Sequence, residues 1–235
     1  MNDGLKDIRL LAIDADDTLW ENQVNFDAAQ HLYCKLLKPW ADEQTIRESL
    51  YKVECRNMPQ TGYGTKAFTL SLIENAIEIT DHKIPAEKIH DILKIGYAIM
   101  NQPVKLLPGV LETMEQLFKS QKYYLVCFTK GDAKEQEDKF FNSGISELFS
   151  NIIVTSDKQE WEFRRLCVYY DVKTEQIMSI GNSFKSDIHP IISLGGWGMH
   201  IPYKRVWQYD HIEEYKHDHV IQVKQFSDIL LHLPL

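Results

Sequence analysis

Three carboxylates stand directly after the first apolar run of the sequence. Arg9-Leu10-Leu11-Ala12-Ile13 is followed by Asp14-Ala15-Asp16-Asp17-Thr18. Carboxylates this close repel one another, and burial at the end of a strand makes that repulsion costly without a counter-charge. Mg²⁺ is the simplest counter-charge, because it takes carboxylate, carbonyl and water oxygens as ligands. Taken alone, the motif is equally typical of an acidic turn or a helix N-cap.

Polar side chains also follow three later apolar runs. They are Thr129-Lys130-Gly131-Asp132, then Thr155-Ser156-Asp157-Lys158, then Gly181-Asn182 with Asp187 five residues further on. A hydroxyl and free backbone amides at a helix N-terminus can bind an anion, and a lysine adds positive charge. Singly, each group is also typical of a helix cap or an exposed lysine. Their recurrence at successive run ends indicates one shared site.

The apolar runs themselves are short, which suits strands rather than helices. They cover Arg9–Ile13, Tyr123–Phe128, Ile152–Val154, Ile177–Ile180, Met199–Ile201 and Val220–Val223. From Leu107 onward helical patterns alternate with them, which predicts a parallel sheet covered by helices on both faces. In such an α/β sheet ligands bind beyond the carboxyl ends of the strands, where the polar groups above lie.

Four helices are predicted between these later strands. One begins after Pro108-Gly109 and repeats apolar residues up to Phe118, and another is capped by Asp132 and ends near Asn142. A third covers Trp161–Tyr170. The fourth covers Phe184–Leu194, where Pro190 predicts a kink or an early end.

A long helical insertion separates the first strand from the second. Residues 21–107 contain no convincing strand and four helical patterns, over Phe26–Leu37, Glu43–Cys55, Lys66–Ile79 and Ala86–Met100. We therefore predict a core domain from residues 1–20 and 108–235 and an all-helical domain from residues 21–107. The Gly-rich turn Gln60–Lys66 either connects two helices or reaches a ligand through Tyr63 or Lys66.

Composition excludes several classes of protein. The 235 residues are 44% apolar and 26% charged, as in ordinary globular chains, and the net charge is −8. No block of Lys and Arg is present, so we expect no nucleic-acid partner. The four cysteines form no CxxC pair, and no apolar run is long enough to span a bilayer. We expect a cytoplasmic protein without a membrane partner, whose protein partners stay unknown. Trp197 and Trp207 are expected to be packing residues.

In their order along the chain, these motifs resemble those of the haloacid dehalogenase superfamily of phosphohydrolases. The pattern is DxDxT, then Thr, then Lys, then G(D/N)xxxxD, and it extends from Asp14 to Asp187. The resemblance implies a Rossmann-like, doubly wound parallel sheet with an inserted helical cap, as in the phosphatase-like branch. Asn182 departs from the pattern, because Asp is usual there, and the amide removes one negative charge from the implied metal shell.

The resemblance also implies roles for the motif residues. Asp14 would be the nucleophile that forms an aspartyl-phosphate, and Asp16 would be the general acid and base. Mg²⁺ would be held by Asp14, the main-chain carbonyl of Asp16, Asn182 and Asp187. The substrate, a small phosphorylated metabolite, would contact Thr129, Lys130 and Lys158, with Tyr63 and Lys66 from the cap.

Alternatives share much of this machinery. A phosphomutase would return the phosphoryl group to the substrate instead of passing it to water. A non-catalytic member would bind a phosphorylated ligand or a protein partner, and a receiver-like domain would keep the phosphoryl group as a signal. Dehalogenation is disfavoured by Asp16, because a leaving halide needs no proton.

Overall fold

The computed structural model of the protein describes residues 3–204 and 212–235. The chain forms two compact units. The core unit comprises Met1–Gln23 and Val104–Leu235, and the helical unit comprises Val24–Pro103. The division lies three or four residues from the boundaries at 21 and 107 that the sequence predicts.

Six parallel strands form the sheet of the core unit. They are β1 (Leu10–Ile13), β2 (Tyr124–Lys130), β3 (Asn151–Thr155), β4 (Ile177–Gly181), β5 (Trp197–His200) and β6 (Val220–Gln222). Their order is β3-β2-β1-β4-β5-β6, so β1 lies inside the sheet between β2 and β4. This is the doubly wound, Rossmann-like arrangement, and the predicted fold class is confirmed.

Helices cover both faces of this sheet. Alternate residues of a strand point to opposite faces, and both sets are apolar, so both faces must be shielded from water. The core unit contains α5 (Val110–Ser120), α6 (Ala133–Asn142), α7 (Glu160–Tyr170) and α8 (His189–Ser193). In β1, Leu11 and Ile13 belong to one apolar cluster, whereas Leu10 and Ala12 belong to the cluster on the other face. Each face of the sheet therefore has its own apolar core, and a shift of the strand register by one residue would exchange the residues of the two cores.

This register brings the strand ends together. Ile13 pairs with Cys127 of β2 and with Ile180 of β4. One residue later, the backbone N–H of Asp14 donates to the carbonyl of Ile180 over 2.8 Å. The polar residues that follow β1, β2 and β4 in sequence are therefore neighbours at the same edge of the sheet.

Several local predictions need correction. β2 continues to Lys130, so Thr129 and Lys130 lie inside the strand rather than after it. The single helix predicted over Phe184–Leu194 is instead a π-helical turn, Phe184–Ile188, followed by α8. Pro190 stands in the first turn of α8, where its missing N–H has no intrahelical partner to lose. Trp197 is buried in β5 as expected, whereas Trp207 lies outside the described residues.

The helical unit consists of α1 (Gln23–Leu37), α2 (Glu43–Thr61), α3 (Thr65–Ile79) and α4 (Ala86–Met100). Its apolar cluster draws on all four helices, with Tyr33, Leu50, Leu72 and Ile92 among the buried members. The hydroxyl of Tyr33 has two acceptors in reach of its one proton, Asn75 Oδ1 at 2.7 Å and the carbonyl of Leu72 at 2.9 Å, so this polar group is satisfied inside the cluster.

The second helix of this unit is longer than its pattern predicts. It was expected to end at Cys55 but continues through Pro59 to Thr61. Proline removes one helical hydrogen bond, yet the N–H of Gly62 still donates to the carbonyl of Met58 and closes the last turn. Within the described residues, no helix is both long and apolar enough to cross a membrane.

The two chain passages at the unit boundary pair with each other. The N–H of Glu21 donates to the carbonyl of Lys105, and the N–H of Leu107 donates to the carbonyl of Leu19. Because these bonds belong to the core unit, residues 104–107 are part of it rather than of the insertion.

Candidate active site

Asp14 lies at the centre of the strand-end site. The residue is 8% exposed and follows β1 directly. Its Oδ1 accepts a hydrogen bond from the ammonium of Lys158 over 2.6 Å, and its Oδ2 accepts one from the hydroxyl of Thr18 over 2.9 Å. Thr18 is the last residue of the DxDxT motif, and the tight turn over Asp17, whose φ is 61°, returns it to Asp14.

Lys158 and Asp187 complete this group, which we call the Asp14 cluster (Asp14, Lys158 and Asp187). Lys158 follows β3, and its ammonium lies 5.3 Å from the ring centre of Phe128 on the intervening strand β2. It donates to Asp187 Oδ1 over 2.7 Å, while the N–H of Ser183 donates to Asp187 Oδ2. The ammonium therefore serves two carboxylates at once.

Gly181 makes room for this arrangement. A Cβ at that position would lie 2.1 Å from Asp187 Oδ2, well inside van der Waals contact. The glycine of the last motif is thus required by the close approach of the Asp187 carboxylate to the end of β4, and not by an unusual φ.

Burial dominates the electrostatics of the Asp14 cluster. Burial, followed by the charge of Asp187, raises the pKa of Asp14 to about 7, against the opposing effect of Lys158. The pKa of Lys158 is raised despite its own burial, because Asp14 and Asp187 both stabilise the ammonium. The cluster holds more negative than positive charge and would gain from an added cation.

A second group surrounds Asp16, and we call it the Asp16 cluster (Asp16, Trp20, Gln136 and Lys139). The ammonium of Lys139 lies 2.6 Å from Asp16 Oδ1 and 2.9 Å from Oδ2. The indole N–H of Trp20 donates to Oδ1 over 2.7 Å, and the amide of Gln136 donates to Oδ2 over 2.9 Å. Every donor here serves a single carboxylate.

The protonation behaviour of Asp16 differs accordingly. Burial by itself raises the pKa of Asp16, but the charge of Lys139 and the hydrogen bonds from Lys139, Gln136 and Trp20 outweigh it and lower the pKa below 3.8. Asp16 is therefore held as a carboxylate. The adjacent Asp17 accepts from the backbone N–H groups of Asn22 and Gln23, and burial raises its pKa to about 7.

The side-chain amide of Asn182 lies beside Asp14. In the orientation in which both of its groups find partners, its nitrogen donates to the main-chain oxygen of Asp16 over 3.2 Å and to Asp14 Oδ2 over 3.3 Å. The hard oxygen ligands that Mg²⁺ would take at this edge of the sheet are the carboxylates of Asp14 and Asp187 and the main-chain carbonyl of Asp16. In the described part of the chain no group of three His, Cys, Asp or Glu side chains could hold a metal. A site here therefore depends on the carbonyl as well as on the carboxylates.

Thr129 and Lys130, which the sequence predicts to bind an anion, have different partners in the structure. Thr129 is buried in β2, close to the strand end. The ammonium of Lys130 donates to the hydroxyl of Ser186 in the π-helical turn after β4 over 2.9 Å. Asp132 caps α6 as predicted, by accepting from the N–H of Glu135.

Tyr63 and Lys66 belong to the helical unit. Tyr63 lies in the link between α2 and α3, and Lys66 stands in the first turn of α3. Their predicted contact with substrate stays a prediction.

Sequence reasoning missed the partners of Asp16. Gln136 and Lys139 are three residues apart on α6, so they share one face of the helix that begins at the end of β2. That spacing, on a helix expected to begin beside the DxDxT motif, was the available signal. Trp20, two residues after the motif, carried no comparable signal.

Comparison with known proteins agrees with this geometry. The sequence profile of the haloacid dehalogenase-like hydrolase family matches residues 41–189. No curated protein matches the chain. A haloacid dehalogenase-like family hydrolase from Xanthomonas campestris has a similar structure, with 35% identity and a TM-score of 0.85 over 94% of this chain and 88% of that one.

Two further solved structures are more distant. A predicted phosphoglycolate phosphatase from Haemophilus somnus 129PT is 20% identical, with a TM-score of 0.62 over 96% of this chain and 97% of that one. A 2-haloacid dehalogenase from Pseudomonas syringae pv. tomato DC3000 is 16% identical, with a TM-score of 0.62 over 95% and 97%. At these identities the likeness shows the fold alone.

Proposed function

The chain belongs to the haloacid dehalogenase-like hydrolases, and we propose that it is a Mg²⁺-dependent phosphatase acting on a small phosphorylated metabolite. The observation that carries this proposal is the Asp14 cluster, in which two buried carboxylates share one ammonium, so that a cation would offset the remaining negative charge. A phosphate dianion repels an attacking carboxylate, so its charge must be offset before the two can approach. An oxygen-lined cation site beside the nucleophile meets that need.

Asp14 is the proposed nucleophile. One of its carboxylate oxygens attacks phosphorus and forms the P–O bond of an aspartyl-phosphate, while the bond from phosphorus to the leaving oxygen breaks. Hydrogen bonds from Thr18 and Lys158 hold the carboxylate in one orientation. Lys158 also places positive charge where the phosphoryl oxygens gain charge, together with the hydroxyl of Thr129.

Mg²⁺ would be held by Asp14, the main-chain carbonyl of Asp16 and Asn182, with Asp187 next to them. When bound, it supplies charge neutralisation for the phosphoryl group. The role of Asp187 that the structure supports directly is a different one, because it anchors the ammonium of Lys158 beside Asp14.

Asp16 is the proposed carrier of protons. The leaving oxygen needs a proton in the first step, and the attacking water must lose one in the second. The ionised state of Asp16 suits the second step, in which it accepts the proton of water. For the first step it must be protonated and must exchange one of its present hydrogen bonds for one to the leaving oxygen.

Dehalogenation is the second candidate, because the hydrogen bonds of Asp16 leave no carboxylic acid ready to donate the proton that a leaving alkoxide would need. A halide leaves without a proton, so a carboxylate fully engaged by Lys139, Gln136 and Trp20 would be no obstacle. The two reactions are separated by their products and by their need for metal. We expect phosphate release that EDTA abolishes, and no halide release from 2-halo acids.

A panel of phosphorylated metabolites assayed with Mg²⁺ and with EDTA tests the proposal. Acid quenching during turnover, followed by mass spectrometry, should find a phosphoryl group on the peptide that contains Asp14. The same peptide from Asp14→Asn should carry none. Halide release without phosphate release would replace the proposal with dehalogenation, and an isomerised phosphorylated product would replace it with a phosphomutase.

The helical unit is proposed to select the substrate. Tyr63 and Lys66 are its candidate contacts, and Lys130 is a further candidate in the core unit. Alanine variants of Tyr63 and Lys66 should raise KM for the best substrate of the panel more than they lower kcat. Unchanged KM values for every substrate would remove both residues from the site.

A further inference from the structure

We propose that Gln136 is a positioning residue for Asp16, and that its hydrogen bond to Asp16 Oδ2 is the one given up when Asp16 transfers a proton. Oδ2 is then the oxygen that gives a proton to the leaving group in the first step and takes one from water in the second. The inference deepens the proposed function and rests on it, since it concerns the proton transfer that hydrolysis of a phosphate ester needs.

Four donor contacts occupy the carboxylate of Asp16. Oδ1 accepts from Lys139 over 2.6 Å and from Trp20 over 2.7 Å, whereas Oδ2 accepts from Lys139 and from Gln136, each over 2.9 Å. An ionised carboxylate offers about four acceptor positions, and these contacts use all of them. A leaving oxygen or an attacking water can therefore bind Asp16 only in exchange for one of the present donors.

Oδ2 is held less firmly than Oδ1. Both contacts of Oδ1 are shorter than those of Oδ2. Trp20, which donates to Oδ1, is 1% exposed, and its main chain forms bridges to Asp16 and to Leu106. The indole can therefore leave Oδ1 only if the tightly packed turn after β1 moves as well. The exchange is easier at Oδ2.

Of the two donors to Oδ2, Gln136 is the one that can withdraw. The ammonium of Lys139 has three protons and three acceptors, because it also lies 3.3 Å from Oδ1 of Asn22. Its contacts with Asp16 are charge-assisted and use both carboxylate oxygens. Gln136 is uncharged and donates to Oδ2. Its amide nitrogen also lies 3.5 Å from the main-chain carbonyl of Lys130, which is an alternative acceptor.

The carbonyl of the Gln136 side chain weakens the hold further. The residue is 2% exposed, yet within the residues that the structure describes its Oε1 has no hydrogen-bond partner. Turning the amide over would bring this oxygen to Asp16 Oδ2 and to the carbonyl of Lys130, which are both acceptors. The nitrogen must therefore face them, and the buried carbonyl stays unpaired at a cost in free energy. That cost offsets part of what the bond to Asp16 contributes.

Gly131 keeps the Gln136 amide near its two acceptors. The φ of Gly131 is 151°, and a Cβ there would lie 2.8 Å from Gln136 Nε2. The main chain at the end of β2 thus leaves space for this side chain alone. Nε2 can pass from Asp16 Oδ2 to the Lys130 carbonyl by a small shift of one side chain.

The dependence of the rate on the leaving group tests the proposal. 4-Nitrophenolate leaves without a proton, whereas an alkoxide needs one in the first step, and kcat/KM reports that step. Gln136→Met removes the donor and keeps the length of the side chain. We expect it to raise kcat/KM about fivefold or more for the best alkyl phosphate of the panel, because no bond to Gln136 has to be given up. For 4-nitrophenyl phosphate kcat/KM should equal that of wild type. Gln44→Met, at an exposed position of α2, should match wild type on both substrates.

Trp20→Phe is the matched variant at the other oxygen. It removes a donor from Oδ1 and should give no gain with the alkyl phosphate. Equal gains in Gln136→Met and Trp20→Phe would overturn the assignment of Oδ2. A Gln136→Met variant that is unchanged or slower with the alkyl phosphate, or equally faster with both substrates, would overturn the proposal.

Gln136→Leu replaces Gln136→Met if the latter does not fold. A partial loss of folded protein lowers the rates with both substrates equally, so it cannot imitate a gain with one of them. Absence of phosphate release by wild type would remove the proposed function itself, whereas an active wild type with the wrong pattern of variants would remove only the role of Gln136.

Discussion

The Asp14 cluster and the Asp16 cluster place two carboxylates two residues apart in opposite electrostatic situations. In the first, one ammonium is shared by two buried carboxylates, and the pKa of Asp14 rises to about 7. In the second, an ammonium, an indole and an amide all serve one carboxylate, and the pKa of Asp16 falls. Each cluster contains one lysine and both carboxylates are buried, so neither feature alone decides the outcome. The second carboxylate, Asp187, raises the pKa of Asp14, whereas three donors outweigh burial at Asp16.

The Asp14 cluster and the Asp16 cluster are therefore suited to different roles. The Asp14 cluster is short of positive charge, which suits a place where a cation binds next to a nucleophile. In the Asp16 cluster three donors stabilise the ionised carboxylate. Asp16 would therefore have to break one of these hydrogen bonds before it could take part in proton transfer. The following variants test the contrast.

The largest effect is expected for Asp14→Asn on activity. Phosphate release should fall by at least about 10⁴-fold, because the amide cannot attack phosphorus. Stability in EDTA should be unchanged or higher, because one fewer buried charge competes for Lys158. The measurements are phosphate release and urea unfolding, with the exposed Asp138→Asn as control. Retained turnover would remove Asp14 as the nucleophile.

Lys158→Met should destabilise the fold strongly. It leaves Asp14 and Asp187 buried together without their ammonium, and breaking a buried ion pair in this way costs about 3–5 kcal/mol. Urea unfolding in EDTA measures the loss. Addition of Asp14→Asn to this variant should restore part of the stability, and if it does not, charge repulsion within the Asp14 cluster is not the cause.

Lys139→Met should have a smaller effect, about 1–2 kcal/mol, since Trp20 and Gln136 still donate to a partly exposed Asp16. Because the pKa of Asp16 is lowered, this stabilisation is present above about pH 4 and is lost as the pH falls through the lowered pKa. Lys134→Met is the matched control, for Lys134 pairs with Asp138 on the outside of the same helix. Equal losses in the two variants would contradict the special role of Lys139.

The smallest effect concerns Glu54 in α2, a half-buried carboxylate whose pKa is raised to about 7 by burial alone. The folded protein keeps this proton up to about pH 7 and the unfolded chain loses it near pH 4.5. The stability contributed here therefore falls as the pH rises through that window. Glu54→Gln should match wild type at pH 4.5 and exceed it by about 1 kcal/mol at pH 8 in urea unfolding. The exposed Glu48→Gln should show no such pH-dependent gain.

The sequence predicted the sheet because its signals are local. Each strand is a short apolar run, and each run ends in polar residues whose position at the sheet edge follows from parallel topology alone. Asp14, Lys158 and Asp187 were singled out in this way, and the structure brings these three together. The end of α2 beyond Pro59 was missed, because the loss of one hydrogen bond at Pro59 does not end a helix whose last turn is closed by Gly62.

Contacts between side chains of distant elements could not be predicted in the same way. Lys139 is 123 residues from Asp16 and reaches it because α6 follows β2, the strand that pairs with β1. The main-chain N–H of Asn182 likewise donates to the hydroxyl of Thr18 across 164 residues. No pattern within one segment encodes either approach.

Residue order alone thus determined which groups assemble at the carboxyl edge of the sheet, because strand polarity and alternation are properties of short segments. Only the folded chain decided which charges and donors surround each carboxylate. These depend on contacts between elements far apart in sequence, and they separate Asp14, which shares its ammonium with Asp187, from Asp16, which has three donors of its own.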